Sequence, residues 1–132
     1  MGFYFQVFGT DGMLGRALCR AAHAAGHGVV AVGRHCDITE PWQVSNAHSE
    51  AGLAHVRGEV SGECIVINAA GFTHVDACET DPAKAFAVNA LGAEHLAKIS
   101  SWHHVHVSTG AVFDGVVPGH HDRDGFDEFS LV

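Results

Sequence analysis

Three glycines between an apolar run and a helical pattern constrain the fold of this chain more than any other feature. The run FYFQVF at residues 3–8 is bounded by glycine and predicts a buried strand. Gly9, Gly12 and Gly15 come next, and residues 13–25 carry apolar side chains at helical spacing. Strand, glycine turn and helix in this order favour a dinucleotide-binding loop, and an ordinary βα turn with a glycine cap is the alternative.

Glycine serves such a loop in three ways. It permits a tight turn, lets the backbone approach a pyrophosphate, and allows the helix to pack closely on the strand. The first turn of the helix then offers unpaired N–H groups and partial positive charge to the phosphates. We therefore expect the backbone amides of residues 9–15 to surround a diphosphate.

The rest of the chain alternates between strand and helix patterns. The stripe of the first helix that we expect to face the sheet consists of Leu14, Ala17, Leu18, Ala21, Ala22 and Ala25. The later predicted elements are a strand at 29–32, a helix at 41–58 capped by Thr39, a strand at 64–70, a helix at 82–99 capped by Asp81, and a strand at 104–107. Such alternation indicates βαβ units with right-handed crossovers and a parallel sheet.

The expected fold class is therefore α/β. We predict an incomplete Rossmann-like three-layer sandwich of about four strands in the order 3-2-1-4. This dinucleotide-binding domain would occupy residues 1–115, and the irregular sequence at 116–132 predicts a tail without regular structure.

The end of the second strand bears on the choice of cofactor. An acidic residue there would bind the ribose 2′-hydroxyl of NAD, whereas an arginine would favour the 2′-phosphate of NADP. The chain has Gly33, Arg34 and His35 at this place, so NADP(H) is the expected cofactor and NAD(H) is the alternative. An arginine exposed on the surface with no role competes with this interpretation. Asp37 stands close to the expected place of the adenine.

Composition excludes several classes of partner. The chain has 132 residues, a formal net charge of −8 and only seven lysines and arginines, which argues against binding DNA or RNA. Its start lacks the pattern of a signal peptide, and no apolar run is long enough for a membrane helix, so we expect a cytoplasmic protein without membrane contact. The four cysteines are widely spaced and are expected to be reduced thiols.

Twelve histidines are many for this length. Two pairs have chelating spacing, His23 with His27 on a helix and His104 with His106 on a strand. Neither pair has a third ligand nearby in the sequence, and His27 lies where a helix end favours an imidazole. We therefore expect no metal site.

Several longer segments resemble one enzyme family. They are GTDGMLGRAL, CDITEP, VINAAGFTHVDACETDPAKAFAVNALGAEHLA and VHVSTGAVFDG. Together they resemble the dTDP-4-dehydrorhamnose reductases, which belong to the extended short-chain dehydrogenases/reductases. The similarity covers residues 5–115. It implies a Rossmann domain that binds NAD(P)H and takes part in reducing the 4-keto group of a nucleotide-linked deoxysugar.

The resemblance also implies roles for particular residues. The pyrophosphate would contact Gly9, Gly12, Met13 and Leu14, and Gly15 completes the glycine motif. The adenosine ribose or its phosphate would contact Arg34, and the adenine would contact Asp37 and Ile38. The cofactor would also be lined by Asn68, Ala69 and Ala70, followed by Phe72 and Thr73. Asn89 falls in the family-like VNALG and is interpreted as a cofactor-site residue or an exposed helical residue.

Ser108 and Thr109 follow the last predicted strand. By resemblance, Thr109 is the hydroxyl that hydrogen-bonds the substrate carbonyl, and the expected strand order would place it beside the first strand at the topological switch point. Strand-end hydroxyls that only bind loop backbone are the alternative.

Two departures from the family pattern weaken the expected activity. Gly110 and Ala111 stand where the family has Asp-Tyr, and the family's catalytic Tyr-x-x-x-Lys would fall close to or just past Val132 and is absent. The single tyrosine, Tyr4, lies in the first strand. Because carbonyl reduction needs a proton donor of suitable pKa, we expect this polypeptide to be a poor reductase or none.

Three hypotheses follow. The chain is the amino-terminal portion of a nucleotide-sugar reductase, whose uncovered sheet surface would favour a homodimer or aggregation. Alternatively, it is a non-catalytic dinucleotide-binding protein with a regulatory or assembly role. The third hypothesis is an enzyme that uses Thr109 with His74 or His120 as proton donor.

Overall fold

A computed structural model describes residues 2–99 and 103–109, and the statements below concern this part of the chain. The predicted tail, Gly110, Ala111 and His120 lie outside the described residues. The elements, in chain order, are β1 (Phe3–Phe8), α1 (Met13–Ala24), β2 (Gly28–Val32), α2 (Pro41–Val56), β3 (Glu63–Asn68), α3 (Val75–Thr80), α4 (Pro82–Phe86), a π-helical turn (Ala87–Leu91), α5 (Gly92–Ile99) and β4 (His104–His106).

The four strands form one parallel sheet in the order β2-β1-β3-β4. This confirms the α/β class with a parallel sheet, but the predicted lateral order 3-2-1-4 is wrong. β3 pairs with β1 and β4 pairs with β3, whereas the prediction placed β3 beside β2 and β4 beside β1. The chain therefore crosses over β1 between β2 and β3, and it continues in the same direction to β4.

Helices cover both faces of the sheet. Alternate residues of β1 point to opposite sides, so Tyr4, Gln6 and Phe8 share one face. On that face Phe8 joins a buried cluster with Val44 of α2 and Leu96 of α5. On the other face the ring of Phe5 meets His27 edge to face, just after α1. The expected three-layer arrangement is thus present.

The caps of the two long helical segments differ from each other. Asp81 caps α4 as predicted, because its carboxylate accepts a hydrogen bond from the Lys84 amide at 3.0 Å. Thr39 does not cap α2: the cap residue is Glu40, and Thr39 instead donates its hydroxyl to Asp37. Helix α3 was not predicted, because its six residues are too few to show a helical period.

Helix α1 is rotated relative to the predicted apolar stripe. Its most buried residue is Gly15, and the half-buried residues that follow are Leu18, Cys19 and Ala22. Leu14, predicted to face the sheet, is exposed. The buried face is therefore centred about one residue away from the stripe that hydrophobicity alone indicates.

A polar side chain is buried in the middle of β1. Gln6 is fully buried, and its amide donates to the Ala47 carbonyl at 2.9 Å, while its Oε1 lies 2.8 Å from His48 Nδ1. Since Gln6 Oε1 can only accept, the His48 ring must carry a proton on Nδ1. Both hydrogen-bonding groups of Gln6 are thus satisfied by α2, and this fixes the register between strand and helix.

Two partly buried histidines predict how stability depends on pH. Burial lowers the pKa of His48, and burial together with His106 lowers the pKa of His104. The unfolded chain then binds protons more readily than the folded chain, so stability is complete above the unfolded pKa of about 6.5 and is lost as pH falls below it. We expect the free energy of unfolding, measured by urea denaturation, to fall between about pH 7 and pH 5.

His48→Asn tests the contribution of one of these residues, because its amide can still donate to Gln6 without titrating. The decrease in stability should be smaller in this variant than in the parent chain. His23→Asn, at an exposed position of α1, serves as the control and should leave the dependence unchanged. Equal pH dependence in the parent chain and His48→Asn would contradict the assignment.

Candidate functional site

The glycine loop packs directly against the end of β3. Gly9 has a φ of +83°, a conformation that favours glycine. A Cβ at Gly9 would lie 2.5 Å from the Ala70 nitrogen and 2.7 Å from the Ala69 carbonyl carbon. The Gly9 amide also donates to the Val32 carbonyl of β2 at 2.9 Å. The loop is therefore held between the ends of two strands, in a space that no larger side chain could enter.

Gly15 brings helix α1 onto this loop. A Cβ at Gly15 would overlap the Gly9 carbonyl oxygen and would lie 2.8 Å from the Thr10 Cα. Gly12 is the cap residue of α1 and has no capping side chain, and its amide donates to Gly9 at 3.1 Å. The next amides, in the first turn of α1, have no partner inside the helix. They are available to an anion.

An open cleft of about 350 Å³ lies beside the glycine loop. It sits between the ends of β1 and β3, whose following helices pack on opposite faces of the sheet, which is where ligands bind in such folds. The residues that line it are Phe8, Gly9, Asp11, Gly12, Gly33, Arg34, Cys36, Asp37, Ile38, Ala69, Ala70, Gly71 and Val88.

The cleft brings together seven of the residues that the sequence singled out. They are Gly9, Gly12, Arg34, Asp37, Ile38, Ala69 and Ala70. Met13 and Leu14 are exposed at the start of α1, and Gly15 is buried beneath the loop. The other seven do not line the cleft. They are Met13, Leu14 and Gly15, then Asn68 and Asn89, which bind backbone nearby, and Ser108 and Thr109, which follow β4.

Sequence reasoning missed Asp11. Its carboxylate accepts a hydrogen bond from the Arg34 amide at 2.5 Å, and a Cβ at Gly33 would lie 2.7 Å from the same oxygen. The pairing of Phe8 with Val32 could have indicated this contact, because the residues that follow two paired strands must lie close together. Asp11 thus places a negative charge at the end of β2.

The Asp37 carboxylate mainly stabilises the loop before α2. One of its oxygens accepts hydrogen bonds from the amide and the hydroxyl of Thr39, at 2.9 and 2.8 Å. These hydrogen bonds hold the pKa of Asp37 below its usual value, and Lys84 contributes in the same direction. Ile38 is buried, and a Cβ at Gly92 would lie 2.7 Å from its side chain. The two residues therefore form a firm wall of the cleft.

Asn89 supports the loop that forms the opposite wall. Its Oδ1 accepts from the Phe72 amide at 2.8 Å, and its Nδ2 donates to the Phe72 carbonyl at 2.9 Å. Asn89 lies in the π-helical turn, a distortion that occurs often at functional sites. Both ends of its amide are engaged by Phe72. In this structure Asn89 therefore positions the loop after β3.

Asn68 joins β3 to β4 at the same edge of the sheet. It is almost fully buried, its Oδ1 accepts from the Ala70 amide at 3.0 Å, and its Nδ2 lies 3.0 Å from His106 Nδ1. The Val107 amide donates to the Asn68 carbonyl at 3.2 Å. Because β4 lies beside β3, the hydroxyls of Ser108 and Thr109 are one strand further from the glycine loop than predicted.

Tyr4 lies at the opposite end of the sheet, where the strands begin. Its side chain is buried, its ring stacks on His55 at 5.8 Å between centroids, and burial with the Cys64 thiol raises its pKa to about 12. Tyr4 is the second residue of β1, whereas the cleft lies where β1 ends. It cannot serve as a proton donor in the cleft.

Three further findings concern the cysteines, possible metal ligands and possible membrane helices. The four cysteines are unpaired, and Cys36 is buried. Among residues 2–99 and 103–109, no three His, Cys, Asp or Glu side chains come together as a metal site would require. No helix in these two ranges has the length and apolar character to cross a membrane.

Comparison with known proteins identifies similar sequences. A profile of the RmlD substrate binding domain family matches residues 5–128. The dTDP-4-dehydrorhamnose reductase of Mycolicibacterium smegmatis is 38% identical in an alignment of 122 residues that covers 89% of this chain and 32% of the relative. The spore coat polysaccharide biosynthesis protein SpsK of Bacillus subtilis is 35% identical, over 83% of this chain and 36% of the relative. The chain thus spans about a third of the length of these relatives.

Solved structures show the same fold. The dTDP-4-dehydrorhamnose reductase of Bacillus anthracis, solved in complex with NADP, superposes with a TM-score of 0.71 at 25% identity, over 89% of this chain and 40% of that chain. The orthologue from Clostridium acetobutylicum also gives 0.71 at 26% identity, over 94% of this chain and 42% of that chain. These matches confirm the Rossmann-like fold.

Replacing Asn89 tests its role as a loop support. Asn89→Ala removes two hydrogen bonds to the Phe72 backbone, so we expect the free energy of unfolding to fall by about 1 kcal/mol. Amide hydrogen exchange at Phe72 should become faster. Asn46→Ala, at an exposed position of α2, should change neither quantity. Unchanged exchange at Phe72 in Asn89→Ala would show that the loop is held by other contacts.

Proposed function

Because the chain belongs to the RmlD substrate binding domain family, we propose that it forms the cofactor-binding part of a reductase acting on nucleotide-linked 4-keto sugars. The observation that carries this proposal is the glycine loop, which lies at the switch point of the sheet beside the open cleft. The proposed cofactor is NADP(H), with NAD(H) as the alternative.

The residues present fit a dinucleotide in three respects. The first turn of α1 offers amides to the pyrophosphate, and the absence of side chains at Gly9 and Gly12 leaves the backbone open to it. The adenosine half would lie over the end of β2, where Arg34, Asp37 and Ile38 line the cleft. The nicotinamide half would run over Ala69 and Ala70, with Asn68 and Asn89 holding that wall in place.

The substrate would enter on the side of β4. There Ser108 and Thr109 follow the strand, and we propose that the Thr109 hydroxyl hydrogen-bonds the carbonyl oxygen to be reduced. When bound, NADPH supplies the hydride. The chain's own contribution is to hold cofactor and carbonyl next to each other, which lowers the entropic cost of bringing them together.

A second candidate function is dinucleotide binding without catalysis, in regulation or assembly. The observation that favours it is that the described residues place no tyrosine beside the cleft, since Tyr4 is buried near the start of β1. Turnover of a nucleotide-linked 4-keto sugar with NADPH, measured on this chain, tests the second candidate directly. A rate above the uncatalysed one would support the reductase and rule out binding without catalysis.

Two further parts of the proposal concern the cellular location and the oligomeric state. We place the protein in the cytoplasm, since four unpaired thiols agree with a reducing compartment. We also propose that the chain forms a homodimer through exposed apolar surface, to which Trp42, Leu53 and Val56 contribute on α2.

Cofactor binding is tested by fluorescence titration of NADPH with the parent chain and Gly12→Asp. A carboxylate at the start of α1 would repel the pyrophosphate, so we expect the dissociation constant to rise by at least about tenfold. Gly52→Asp is the matched control, because it adds the same charge to α2 at a place with open space around it. Equal affinity of Gly12→Asp and the parent chain would remove the glycine loop from the proposed site.

A further inference from the structure

The glycine loop carries an acidic side chain into the part of the cleft that the adenosine ribose would occupy. We propose that the Asp11 carboxylate recognises the ribose hydroxyls of a bound dinucleotide and thereby shifts the preference of the site from NADPH toward NADH. This inference rests on the proposed dinucleotide site. It assigns to Asp11 a specificity role in that site.

The position of Asp11 carries the first step. One carboxylate oxygen accepts the Arg34 amide, and the carboxylate also lies against the Cα of Gly33. Gly33 and Arg34 are the residues directly after β2. In dinucleotide-binding sheets, the end of this strand is where an acidic side chain binds the adenosine ribose. The carboxylate therefore occupies the usual place, although it comes from a different segment of the chain.

The residues at the end of β2 leave this role open. Gly33, Arg34 and His35 include no acid, so no carboxylate comes from the strand end itself. Asp37, the next acid in the chain, uses an oxygen to accept two hydrogen bonds from Thr39. Asp11 uses one oxygen for the Arg34 amide, and the described residues provide no hydrogen bond to the other. Asp11 lines the cleft, so this second oxygen is available to accept a hydrogen bond from a ribose hydroxyl there.

Charge explains why this arrangement discriminates between cofactors. A ribose 2′-hydroxyl donates a hydrogen bond to a carboxylate, and charge assistance makes such a bond stronger than a neutral one. A 2′-phosphate has no proton to donate at neutral pH, and its negative charge is repelled at short range by the carboxylate. Arg34 is the opposing group, since its guanidinium would attract the phosphate. The site thus holds, in adjacent positions, a carboxylate that favours the 2′-hydroxyl and a guanidinium that favours the 2′-phosphate.

Gly33 is part of the same device. A side chain at this position would force the Asp11 carboxylate to move, because a Cβ there would lie 2.7 Å from its oxygen and 3.2 Å from its Cγ. The glycine therefore allows the carboxylate to lie against the end of β2, within reach of the Arg34 amide.

Asp11→Asn provides the test, because the amide oxygen can still accept from Arg34 while the charge is lost. Dissociation constants for NADH and NADPH are measured by fluorescence titration on the parent chain and the variant, at about 0.02 M and 0.3 M salt. We expect the ratio of NADPH affinity to NADH affinity to rise at least about fivefold in Asp11→Asn at low salt. The change should shrink at high salt, where charges are screened.

Glu59→Gln is the matched control, since it removes the same charge near the end of α2 that lies away from the cleft, where Glu59 pairs with Arg57. Its affinity ratio should equal that of the parent chain. An equal shift in Glu59→Gln would mean that net charge alone acts, and an unchanged ratio in Asp11→Asn, or an equal loss for both cofactors, would overturn the role of Asp11. If the parent chain binds neither cofactor, the proposed function itself fails, which is a different result from binding with an unmoved ratio.

Discussion

The close approach of two glycines determines the geometry on which the rest of the site depends. Helix α1 buries little apolar surface, and its one fully buried residue is Gly15, at the point where the helix meets the Gly9 carbonyl. Hydrophobic burial alone would favour a rotation that turns Leu14 inward, but Leu14 is exposed. Backbone contact therefore sets the orientation of α1. The same contact aims the first turn of the helix at the cleft.

The edge where the strands begin and the edge where they end are stabilised by different interactions. At the edge where the strands begin, Tyr4 is buried with Ala51, Ala54 and Val60 in a compact cluster. At the edge where the strands end, polar groups of Asp11, Asn68 and Asn89 are used to hold backbone segments in place. Stability at the first edge comes from apolar burial, and shape at the second comes from hydrogen bonds to the backbone. The cleft at this edge can stay open because hydrogen bonds hold its walls, so no apolar side chains are needed to fill it.

Local sequence patterns predicted the elements well and their lateral arrangement poorly. β1, α2 and the Asp81 cap are found as predicted, because apolar runs and capping residues act through neighbours in the chain. The order of strands depends on which side of β1 each crossover takes, and no local pattern encodes that choice. The cap residue of α2 is Glu40 and not the predicted Thr39, because the Thr39 hydroxyl donates its hydrogen bond to Asp37 instead.

The candidate site shows the same division. The glycine loop was predicted from its spacing between a strand and a helix, and Ala69 and Ala70 were implied by the resemblance to the reductase family. Asp11 was not, because its importance comes from a contact with Arg34 across 23 positions of the chain. Asn89 was noticed in a family-like motif, but its two hydrogen bonds to Phe72 show that it acts through the loop it supports.

The corrected strand order also limits how a carbonyl could be reduced here. Neighbouring strands lie about 4.8 Å apart, so with β3 between them the ends of β1 and β4 are separated by roughly 10 Å. A dinucleotide with its pyrophosphate on the glycine loop would fill the ends of β2, β1 and β3, which leaves only the β4 side open to a substrate. Any proton donor must then approach Thr109 from that side, because Tyr4 is buried at the far edge and the adenosine half would cover the end of β2. If the cofactor binds as proposed, the strands on one side of the switch point would hold it, and a carbonyl substrate would approach from the other side.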